Sequence, residues 1–371
     1  MQAIDAIIEE AIQNNRIHGA QVGIYQRDRV LFEQNYVDAP DTIYRLYSMT
    51  KPVTAAAVMT LFEKGKLDLL EPVSTFLPEF GKMWIHTSHG VVECGKPITV
   101  RDLLNMTSGI CYPDEDGPGR LMQQQFDKIQ AKVETEEAYT TREVVRMIAA
   151  QPLTFEPGTA WRYGLSADVL GAVVEVITGK SYREYLMEEI LLPLGMEDTD
   201  FYVPEEKRGR LSELYTIADG RLIPETKRHL GLSYGSRIPA FQSGGAGLFS
   251  TLKDYSRFAR MLACEGTLEG VRILSRRTVR YFTQDQMEGI DQSRFLSHMG
   301  GYGFANLMRV QKNAASGTTS PKGEFGWDGW AGPYFSVDLE DGLSLVTMVQ
   351  TTGFTDFGMN RRLKAVAATM V

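Results

Sequence analysis

The sequence predicts an α+β protein with two lobes, one built on an antiparallel sheet flanked by helices and the other all-helical. Three observations support this fold class: strand patterns occur near both ends of the chain, helical patterns fill its middle, and 371 residues are enough for two lobes. The simplest packing joins the ends into one sheet lobe over residues 1–70 and 231–371, with 71–230 as a mainly helical lobe. We expect a small-molecule site between the lobes.

The N-terminal part of the chain predicts a helix, a β-hairpin and a second helix. MQAIDAIIEEAIQNNRIHG has an acidic amphipathic helix pattern, and GAQVGIYQRDRVLFEQNYV has two apolar runs around a polar turn at residues 27–29. The following segment, KPVTAAAVMTLFE, is apolar on nearly every side, so its helix is predicted to be buried. Gly65 and the polar residues after it end this helix.

The rest of the chain alternates helical and loop patterns before two β-rich segments. Helices are predicted for TVRDLLNMTSGI, TTREVVRMIAAQ, SADVLGAVVEVITGKSYREYLMEEILLPLGM, the segment after Ser250 and FGMNRRLKAVAATMV. Long surface loops are predicted for CYPDEDGPGR and residues 208–239, and such loops often bind ligands. Strands are predicted in GYGFANLMRVQ and AGPYFSVDLEDGLSLVTMVQ.

Composition and charge exclude several classes of function. The chain is 43% hydrophobic and 23% charged with a net charge of −8, so it offers no electrostatic basis for binding nucleic acid or an anionic membrane. Its N-terminal segment lacks the basic and apolar regions of a signal peptide, and no apolar run is long enough to span a bilayer. Three widely spaced cysteines indicate free thiols in a reducing compartment, which predicts a cytoplasmic protein.

The sequence contains no C-x-x-C, H-E-x-x-H or G-x-x-x-x-G-K-[ST] motif for a metal or nucleotide. One segment offers an alternative to this absence of a metal motif: His86 and His89, with Glu93 and Cys94 nearby, have side chains that can bind a metal. A polar turn is the simpler interpretation of the segment HTSHG. We therefore predict no metal and no cofactor.

The tetrapeptide SMTK, from Ser48 to Lys51, begins the apolar helix and is the first candidate for chemistry. Pro52 has no N–H and belongs in the first helical turn, which places the start of the helix near Ser48. Ser48 and Lys51 then share one face of that turn, near the positive end of the helix dipole. A second S-x-x-K, from Ser250 to Lys253, precedes an amphipathic helix and is interpreted as an N-cap with a solvated lysine.

A second candidate nucleophile is Ser233 in the pentapeptide GLSYG, with His298 downstream as a base. The acids available to such a triad are Asp254, Asp285 and Asp291. A G-x-S-x-G nucleophile elbow needs a hydrophobic strand before it and a helix after it. Here IPETKRHL precedes and SRIPAFQSGG follows, so a glycine-rich loop is the simpler interpretation.

Several motifs, taken in order, give the sequence a resemblance to a known family. They are Tyr163 in FEPGTAWRYGLSADVLG, Trp327-Asp328-Gly329 at a predicted strand start in FGWDGWAGPYFSVD, and the segments TVRDLLNMTSGI, LLPLGMEDTDF and GGAGLFSTLKDYSRF. Together with SMTK they resemble serine β-lactamase-fold hydrolases, and most of all family VIII carboxylesterases, which are related to class C β-lactamases and penicillin-binding proteins. The resemblance covers nearly the whole chain.

The resemblance implies a β-lactamase/transpeptidase-like fold and acyl transfer through an acyl-enzyme on Ser48. It implies Lys51 and Tyr163 as proton-transfer partners, and we expect them to share one proton. The oxyanion hole is expected from the backbone N–H groups of Ser48 and Trp330. For the aromatic residues the alternatives are ordinary ones: Tyr163 as a buried core tyrosine, and Trp327 and Trp330 as packed strand residues.

Two departures from the class C pattern bear on the substrate, which we expect to contact Leu165, Trp327, Asp328 and Gly329. Leu165 stands where class C enzymes carry an asparagine, and Trp327 where they carry the lysine of K-T-G. Loss of a cation and an amide disfavours a carboxylate-bearing substrate, and Asp328 would repel an anion if it faced the site. The sequence therefore predicts a serine esterase for small neutral carboxylic esters.

Other functions of the same fold remain open. An acyltransferase would pass the acyl group to a small alcohol or amine, and a β-lactamase or D-amino peptidase would attack an amide. A non-catalytic binding or sensor protein is the remote alternative, and the retention of Ser48, Lys51 and Tyr163 argues against it. Nothing in the sequence indicates an oligomeric state.

Overall fold

Strands and helices occur throughout the computed structural model, which describes residues 1–227, 229–353 and 357–371. The strands are β1 (Ala20–Gln26), β2 (Arg29–Tyr36), β3 (Tyr44–Arg45), β4 (Trp84–Thr87), β5 (Gly90–Glu93), β6 (Tyr215–Ala218), β7 (Arg221–Pro224), β8 (Phe249–Ser250), β9 (Thr267–Leu268), β10 (Val271–Arg272), β11 (Tyr302–Ala305), β12 (Met308–Gln311), β13 (Phe325–Asp328), β14 (Tyr334–Asp338), β15 (Leu343–Met348) and β16 (Thr351–Thr352). The α-helices are α1 (Gln2–Gln13), α2 (Thr50–Glu63), α3 (Val100–Leu104), α4 (Gly117–Lys132), α5 (Thr141–Ala149), α6 (Ser166–Thr178), α7 (Tyr182–Leu186), α8 (Leu252–Ala263), α9 (Arg276–Phe282) and α10 (Phe357–Ala367). None of these helices has the length and apolar character needed to cross a membrane.

One antiparallel sheet joins the two ends of the chain. Its strand order is β11-β12-β13-β14-β15-β1-β2, so β1 pairs with β15 and places Gly23 opposite Val346. α1 and α10 pack on one face, where Ile8 and Leu363 share a core with inward-facing strand residues such as Val22. α8 packs against β15, β1 and β14 and belongs to a separate core. The predicted α+β class, with helices flanking an antiparallel sheet, is confirmed.

α2 is a buried helix on which other helices pack. Every residue of α2 from Thr50 to Leu61 is buried, as the nearly all-round apolar pattern predicted. α6 packs along α2, and α3, α5 and α7 pack against α6. Tyr255 of α8 donates a hydrogen bond to the carbonyl of Met49 at 2.8 Å, which ties the start of α2 to a helix that packs on the seven-stranded sheet. The division of the chain at residues 70 and 230 stays a prediction.

The structure agrees with three further predictions. These are the N-terminal hairpin, the end of α2 just before Gly65 and the β-rich C-terminal segments. The second S-x-x-K also behaves as predicted. Thr251 caps α8 by accepting a hydrogen bond from the N–H of Asp254 at 3.1 Å, and Lys253 is exposed.

Two predicted helices are shorter than their patterns. The segment TVRDLLNMTSGI is helical only over α3, because Met106 and Gly109 adopt positive φ angles of 56° and 81° that turn the chain. The long pattern after Ser166 is divided between α6 and α7. Gly179, with φ of 68°, ends α6 in the left-handed conformation.

The two predicted surface loops contain regular structure. The last residues of CYPDEDGPGR begin α4, since Asp116 caps it and Pro118 lies in its first turn, where a missing N–H costs nothing. The predicted loop over 208–239 contains the β6–β7 hairpin, and β6 pairs in parallel with β16. Arg228 of this loop lies outside the described residues.

The position of the Trp327-Asp328-Gly329 motif was also predicted wrongly. Trp327 and Asp328 are the last two residues of β13, and Gly329 begins the turn to β14. The motif therefore ends a strand, which brings the turn and Trp330 towards the chain before α2.

Candidate active site

The turn before α2 places Ser48 and Lys51 close together. Ser48 is the middle residue of a short 3₁₀ turn, α2 begins directly after that turn, and Pro52 lies in the first turn of α2, as predicted. The preceding residue, Tyr47, has φ of +45°, in the left-handed region that non-glycine residues rarely adopt. Backbone strain of this kind is concentrated at functional sites.

Lys51 is completely buried, and its Nζ contacts three oxygen atoms. These are the Ser48 hydroxyl at 3.1 Å, the Tyr112 hydroxyl at 2.9 Å and the Gly245 carbonyl at 2.8 Å. Nζ also lies 4.6 Å from the centroid of the Tyr163 ring. Among the described residues, no carboxylate forms an ion pair with Lys51. A buried lysine that contacts only uncharged groups is suited to exchanging a proton with Ser48.

The electrostatics of the site favour a neutral lysine. Burial lowers the pKa of Lys51 to about 7, and the negative charges of Asp168 and Asp328 only partly oppose this shift. A shift of this size corresponds to roughly 5 kcal/mol of lost stabilisation of the charged form. Lys51 therefore changes its protonation state near neutral pH, where a general base is most effective.

Tyr163 lies beside Ser48 and Lys51 and is held by Trp327. The Trp327 indole Nε1 donates a hydrogen bond to the Tyr163 hydroxyl at 3.0 Å, and that hydroxyl also interacts with Ser48. Burial raises the pKa of Tyr163, and these hydrogen bonds only partly oppose the shift. Tyr163 is therefore a neutral phenol at ordinary pH.

Tyr112 is part of the site, and the sequence analysis did not identify it. Its hydroxyl contacts Lys51 and interacts with Ser48, and burial raises its pKa well above the usual range. Gly164 brings the two tyrosines together, because a Cβ at that position would lie 2.2 Å from the Ile110 carbonyl oxygen. The rings of Tyr112 and Tyr163 consequently meet edge to face at 5.4 Å. The one available signal was the position of Tyr112 in a predicted binding loop.

A tight turn at residues 243–246 fixes the inner side of Lys51. Thr54, one turn after Lys51 on α2, donates a hydrogen bond to the Gly244 carbonyl at 2.6 Å. From the other side, the buried carboxylate of Asp168 accepts hydrogen bonds from the Ser243 hydroxyl at 2.5 Å and from the Gly245 N–H at 3.2 Å. Asp168 thus positions the carbonyl that contacts Lys51 and supplies a negative charge near it.

Replacing Asp168 with asparagine is expected to move the acid limb of the pH profile of kcat/KM to lower pH, by on the order of one unit. The negative charge of Asp168 raises the pKa of Lys51, so its removal makes the lysine neutral at lower pH. The measurement is kcat/KM for a p-nitrophenyl ester between pH 5 and 9. Ser243→Ala is the matched control, since it removes a hydrogen bond without changing charge and should leave the midpoint in place. An unmoved midpoint in Asp168→Asn would contradict this electrostatic role.

The backbone N–H groups of Ser48 and Trp330 are available for an oxyanion. Neither donates a hydrogen bond to another described residue. Gly329 permits the approach of the two segments, because a Cβ there would lie 2.3 Å from the Leu46 carbonyl oxygen. Trp330 itself meets the Tyr47 ring edge-on at 5.2 Å. An oxyanion hole requires two free N–H donors that point at the attacked carbonyl oxygen, and the assignment of these two groups to that role stays a prediction.

Three predicted substrate contacts lie elsewhere than expected. Leu165 is 1% exposed and packs in the main core. Trp327 is equally buried and contacts Tyr163 rather than an open surface. Asp328 lines a small hollow with Arg309, and His298 Nε2 lies 3.8 Å from its Oδ1. Burial raises the pKa of Asp328 to about 6.

The alternative nucleophile and the alternative metal site lack the expected surroundings. Ser233 lies in a loop with neither a strand directly before it nor a helix directly after it, and its hydroxyl accepts a hydrogen bond from the Gly235 N–H at 3.1 Å. His298, its predicted base, lies beside Asp328. His86 and His89 lie in the β4–β5 hairpin, and no group of three or more metal-ligating side chains was found among the described residues.

Comparison with known proteins gives a consistent family. The family model described as Beta-lactamase matches residues 4–369. Esterase EstB of Burkholderia gladioli is 30% identical, over 94% of this chain and 90% of its own. Lovastatin esterase of Penicillium rubens is 30% identical, over 71% of this chain and 69% of its own.

A solved structure extends the comparison to the fold. EstCE1, described as a hydrolase with promiscuous acyltransferase activity, is 26% identical and superimposes with a TM-score of 0.79 over 100% of this chain and 97% of its own. Together with the family match, this confirms the predicted β-lactamase/transpeptidase-like fold and a serine hydrolase of that superfamily. The chain belongs to the Beta-lactamase family.

Proposed function

We propose that this protein is a serine esterase that hydrolyses small neutral carboxylic esters through an acyl-enzyme on Ser48. The observation that carries the proposal is the completely buried Lys51, whose Nζ lies 3.1 Å from the Ser48 hydroxyl and whose pKa is lowered to about 7. The esterase names of the relatives from Burkholderia gladioli and Penicillium rubens support the choice of esters over amides.

The proposed first half-reaction forms the acyl-enzyme. The Ser48 oxygen attacks the ester carbonyl carbon while neutral Lys51 takes the hydroxyl proton. The developing oxyanion accepts hydrogen bonds from the N–H groups of Ser48 and Trp330, each typically worth about 3 kcal/mol. When the bond to the alcohol oxygen breaks, the Tyr163 hydroxyl passes a proton to that oxygen and takes the proton held by Lys51 in its place, so both residues return to their starting protonation states.

The second half-reaction repeats these roles with water. A water molecule takes the place of the departed alcohol, and Lys51 removes its proton as the water oxygen attacks the acyl carbon. Collapse returns the proton to Ser48 and releases the acid. In this scheme Tyr112 holds Lys51 in place, and Trp327 holds the Tyr163 hydroxyl beside Ser48.

The preference for a neutral ester rests on what surrounds Ser48. At the position of the class C lysine the chain has Trp327, which is buried and uncharged. Lys51, whose Nζ contacts the Ser48 hydroxyl, must be neutral to act as base. A carboxylate on the substrate would therefore lose its water without gaining an ion pair.

We expect kcat/KM for p-nitrophenyl butyrate to exceed that for benzylpenicillin by at least about 100-fold, the effect of losing one buried ion pair. Both rates are measured with the same preparation, by release of p-nitrophenol and by loss of the β-lactam absorbance. Comparable values would refute the neutral-ester proposal. Failure to hydrolyse either substrate would refute the enzyme assignment to this site.

Acyl transfer is a second candidate, favoured by the acyltransferase activity described for EstCE1. A small alcohol or amine would then take the place of water in the second half-reaction. The test adds such acceptors to a reaction with p-nitrophenyl butyrate and quantifies the transfer product against free butyrate. Product formed mainly by transfer at low acceptor concentration would favour the acyltransferase.

The partner we propose is a small-molecule ester, and we propose a cytoplasmic location. The net charge of −8 argues against binding to nucleic acid or anionic membranes. The location rests on the three free cysteines, which favour a reducing compartment. Fractionation of cells that produce the protein tests it.

A further inference from the structure

Two hollows share His229 as a lining residue, and each contains a neighbour of Ser48. The first, which we name the Tyr47 cavity, has a volume of about 170 Å³ and includes Tyr47, the residue directly before the nucleophile. The second, which we name the Tyr112 cleft, has a volume of about 450 Å³ and includes Tyr112. His229 contributes to both, and its ring stacks on Trp330 with centroids 4.2 Å apart. His229 is therefore a wall residue that the two hollows have in common.

The walls of the two hollows differ in chemistry. Those of the Tyr47 cavity are mostly apolar, with side chains from Phe201, Leu214, Leu232, Phe241, Leu248 and Phe249. The Tyr112 cleft is bordered by polar residues of α4, including Gln123, Asp127 and Gln130. An ester has two parts to accommodate, an acyl group and an alcohol, so two unlike hollows that contain neighbours of one nucleophile suggest one hollow for each part.

The surroundings of Lys51 indicate which hollow takes the alcohol. The leaving alcohol must receive a proton and the incoming water must give one up, so both must lie next to the network around Lys51. Tyr112, whose hydroxyl contacts Lys51 at 2.9 Å, borders the Tyr112 cleft and not the Tyr47 cavity. The alcohol side of the reaction therefore belongs to the Tyr112 cleft, which leaves the Tyr47 cavity for the acyl group.

We infer that the Tyr47 cavity is an acyl-binding subsite for an uncharged, apolar acyl group of about six carbons. The size follows from the volume, since an apolar cavity of about 150 Å³ holds a benzene molecule. The charged residues of the cavity are Arg45 and Lys227 against Glu213 and Glu225, so their charges balance and select no ionic acyl group. This inference rests on the proposed esterase function and specifies its substrate class.

His229 is suited to a wall position shared by the two subsites, because it takes no part in proton transfer. Burial and the nearby charge of Lys51 lower its pKa to about 4, so the imidazole is neutral at the pH of the reaction. A neutral ring stacked on Trp330 adds a flat wall to the acyl subsite and no charge.

The first experiment compares p-nitrophenyl acetate, butyrate, hexanoate and decanoate on the unmodified protein. Each methylene that enters an apolar cavity strengthens binding, so we expect kcat/KM to rise roughly 100-fold from acetate to hexanoate. It should fall for decanoate, which exceeds the cavity. A profile that is flat, or highest for acetate, would overturn the inference while leaving the esterase proposal intact. If none of the four esters were hydrolysed, the proposed function itself would be overturned.

The second experiment uses two leucines of the same loop, two residues apart. Leu232 borders the Tyr47 cavity and Leu230 borders the Tyr112 cleft. Leu232→Trp should lower the hexanoate-to-acetate ratio of kcat/KM at least tenfold, because the indole fills the acyl subsite. Leu230→Trp should keep that ratio and change the preference between p-nitrophenyl and ethyl hexanoate. The reverse result, with Leu230→Trp altering acyl preference and Leu232→Trp altering alcohol preference, would show that the two subsites are assigned the wrong way round.

Discussion

Ser48→Ala is expected to lower kcat/KM for a short p-nitrophenyl ester by on the order of 10⁴-fold or more, as for other covalent nucleophiles. The substitution removes the oxygen that contacts Lys51 at 3.1 Å and interacts with both Tyr112 and Tyr163. Because the hydroxyl is small and half-buried, the fold should remain intact. Steady-state hydrolysis measures the loss, and the mass of the intact protein shows whether an acyl adduct forms.

The matched control for this prediction is Ser233→Ala, the serine of the GLSYG pentapeptide. The Ser233 hydroxyl accepts a hydrogen bond from the nearby Gly235 N–H. Its loss has only a local effect, so activity should stay within about tenfold of the unmodified protein. An acyl adduct should form on Ser233→Ala and not on Ser48→Ala. A dead Ser233→Ala variant beside an active Ser48→Ala variant would show that the whole assignment of the site is wrong.

The sequence was sufficient to predict the parts of the site that are close together along the chain. SMTK, the following proline and the nearly all-apolar helix placed Ser48 and Lys51 on one buried turn, and the structure has them there. Local spacing carried this prediction, because residues three apart on a first turn must face the same way. The exposed Lys253 shows why the motif alone was insufficient: the same spacing at a solvated helix start places the lysine in water.

The parts of the site that depend on distant contacts were not predictable from spacing. Tyr112 lies 61 residues after Lys51, in a loop without a motif, and reaches the lysine because Gly164 permits two loops to approach closely. Asp168 acts on Lys51 through the turn at residues 243–246, which comes 75 residues or more after Asp168 in the chain. Contacts of this kind depend on tertiary packing, and a local sequence pattern does not predict them.

The error at Trp327 has a similar cause. The segment FGWDGWAGPYFSVD has two runs of strand-forming residues, and the sequence pattern predicts the motif at the start of a strand. In the structure Trp327 pairs with Phe335 across a hairpin, so the motif ends the first strand. Cross-strand pairing decides such a boundary, and propensity alone does not. The consequence is functional, because the end of β13 buries Trp327 against Tyr163 instead of exposing it to substrate.

The proton chemistry of Lys51 gives the second large expected effect. Lys51 must be neutral to take the Ser48 proton, and burial lowers its pKa to about 7. Below that pH the lysine is increasingly protonated, so kcat/KM should fall about tenfold for each pH unit, and above it the rate should level off. The hydroxyl that contacts Lys51 directly belongs to Tyr112, and the expected sharing of a proton between Lys51 and Tyr163 stays a prediction.

Lys51→Ala is therefore expected to abolish the step near pH 7 and to lower the rate by on the order of 10²–10⁴-fold at pH 8, the usual contribution of a general base. Tyr163→Phe should instead lower the rate at every pH and keep the midpoint, since it removes the relay to the leaving alcohol but not the titrating lysine. Lys253→Ala is the matched control, because this lysine has the same S-x-x-K spacing but is exposed, and its profile should equal that of the unmodified protein. Profiles of kcat/KM from pH 5 to 10 for the four proteins decide between a base and a structural residue. If Lys51→Ala kept both the rate and the midpoint, the lysine would be structural, and Ser48 would need a different base.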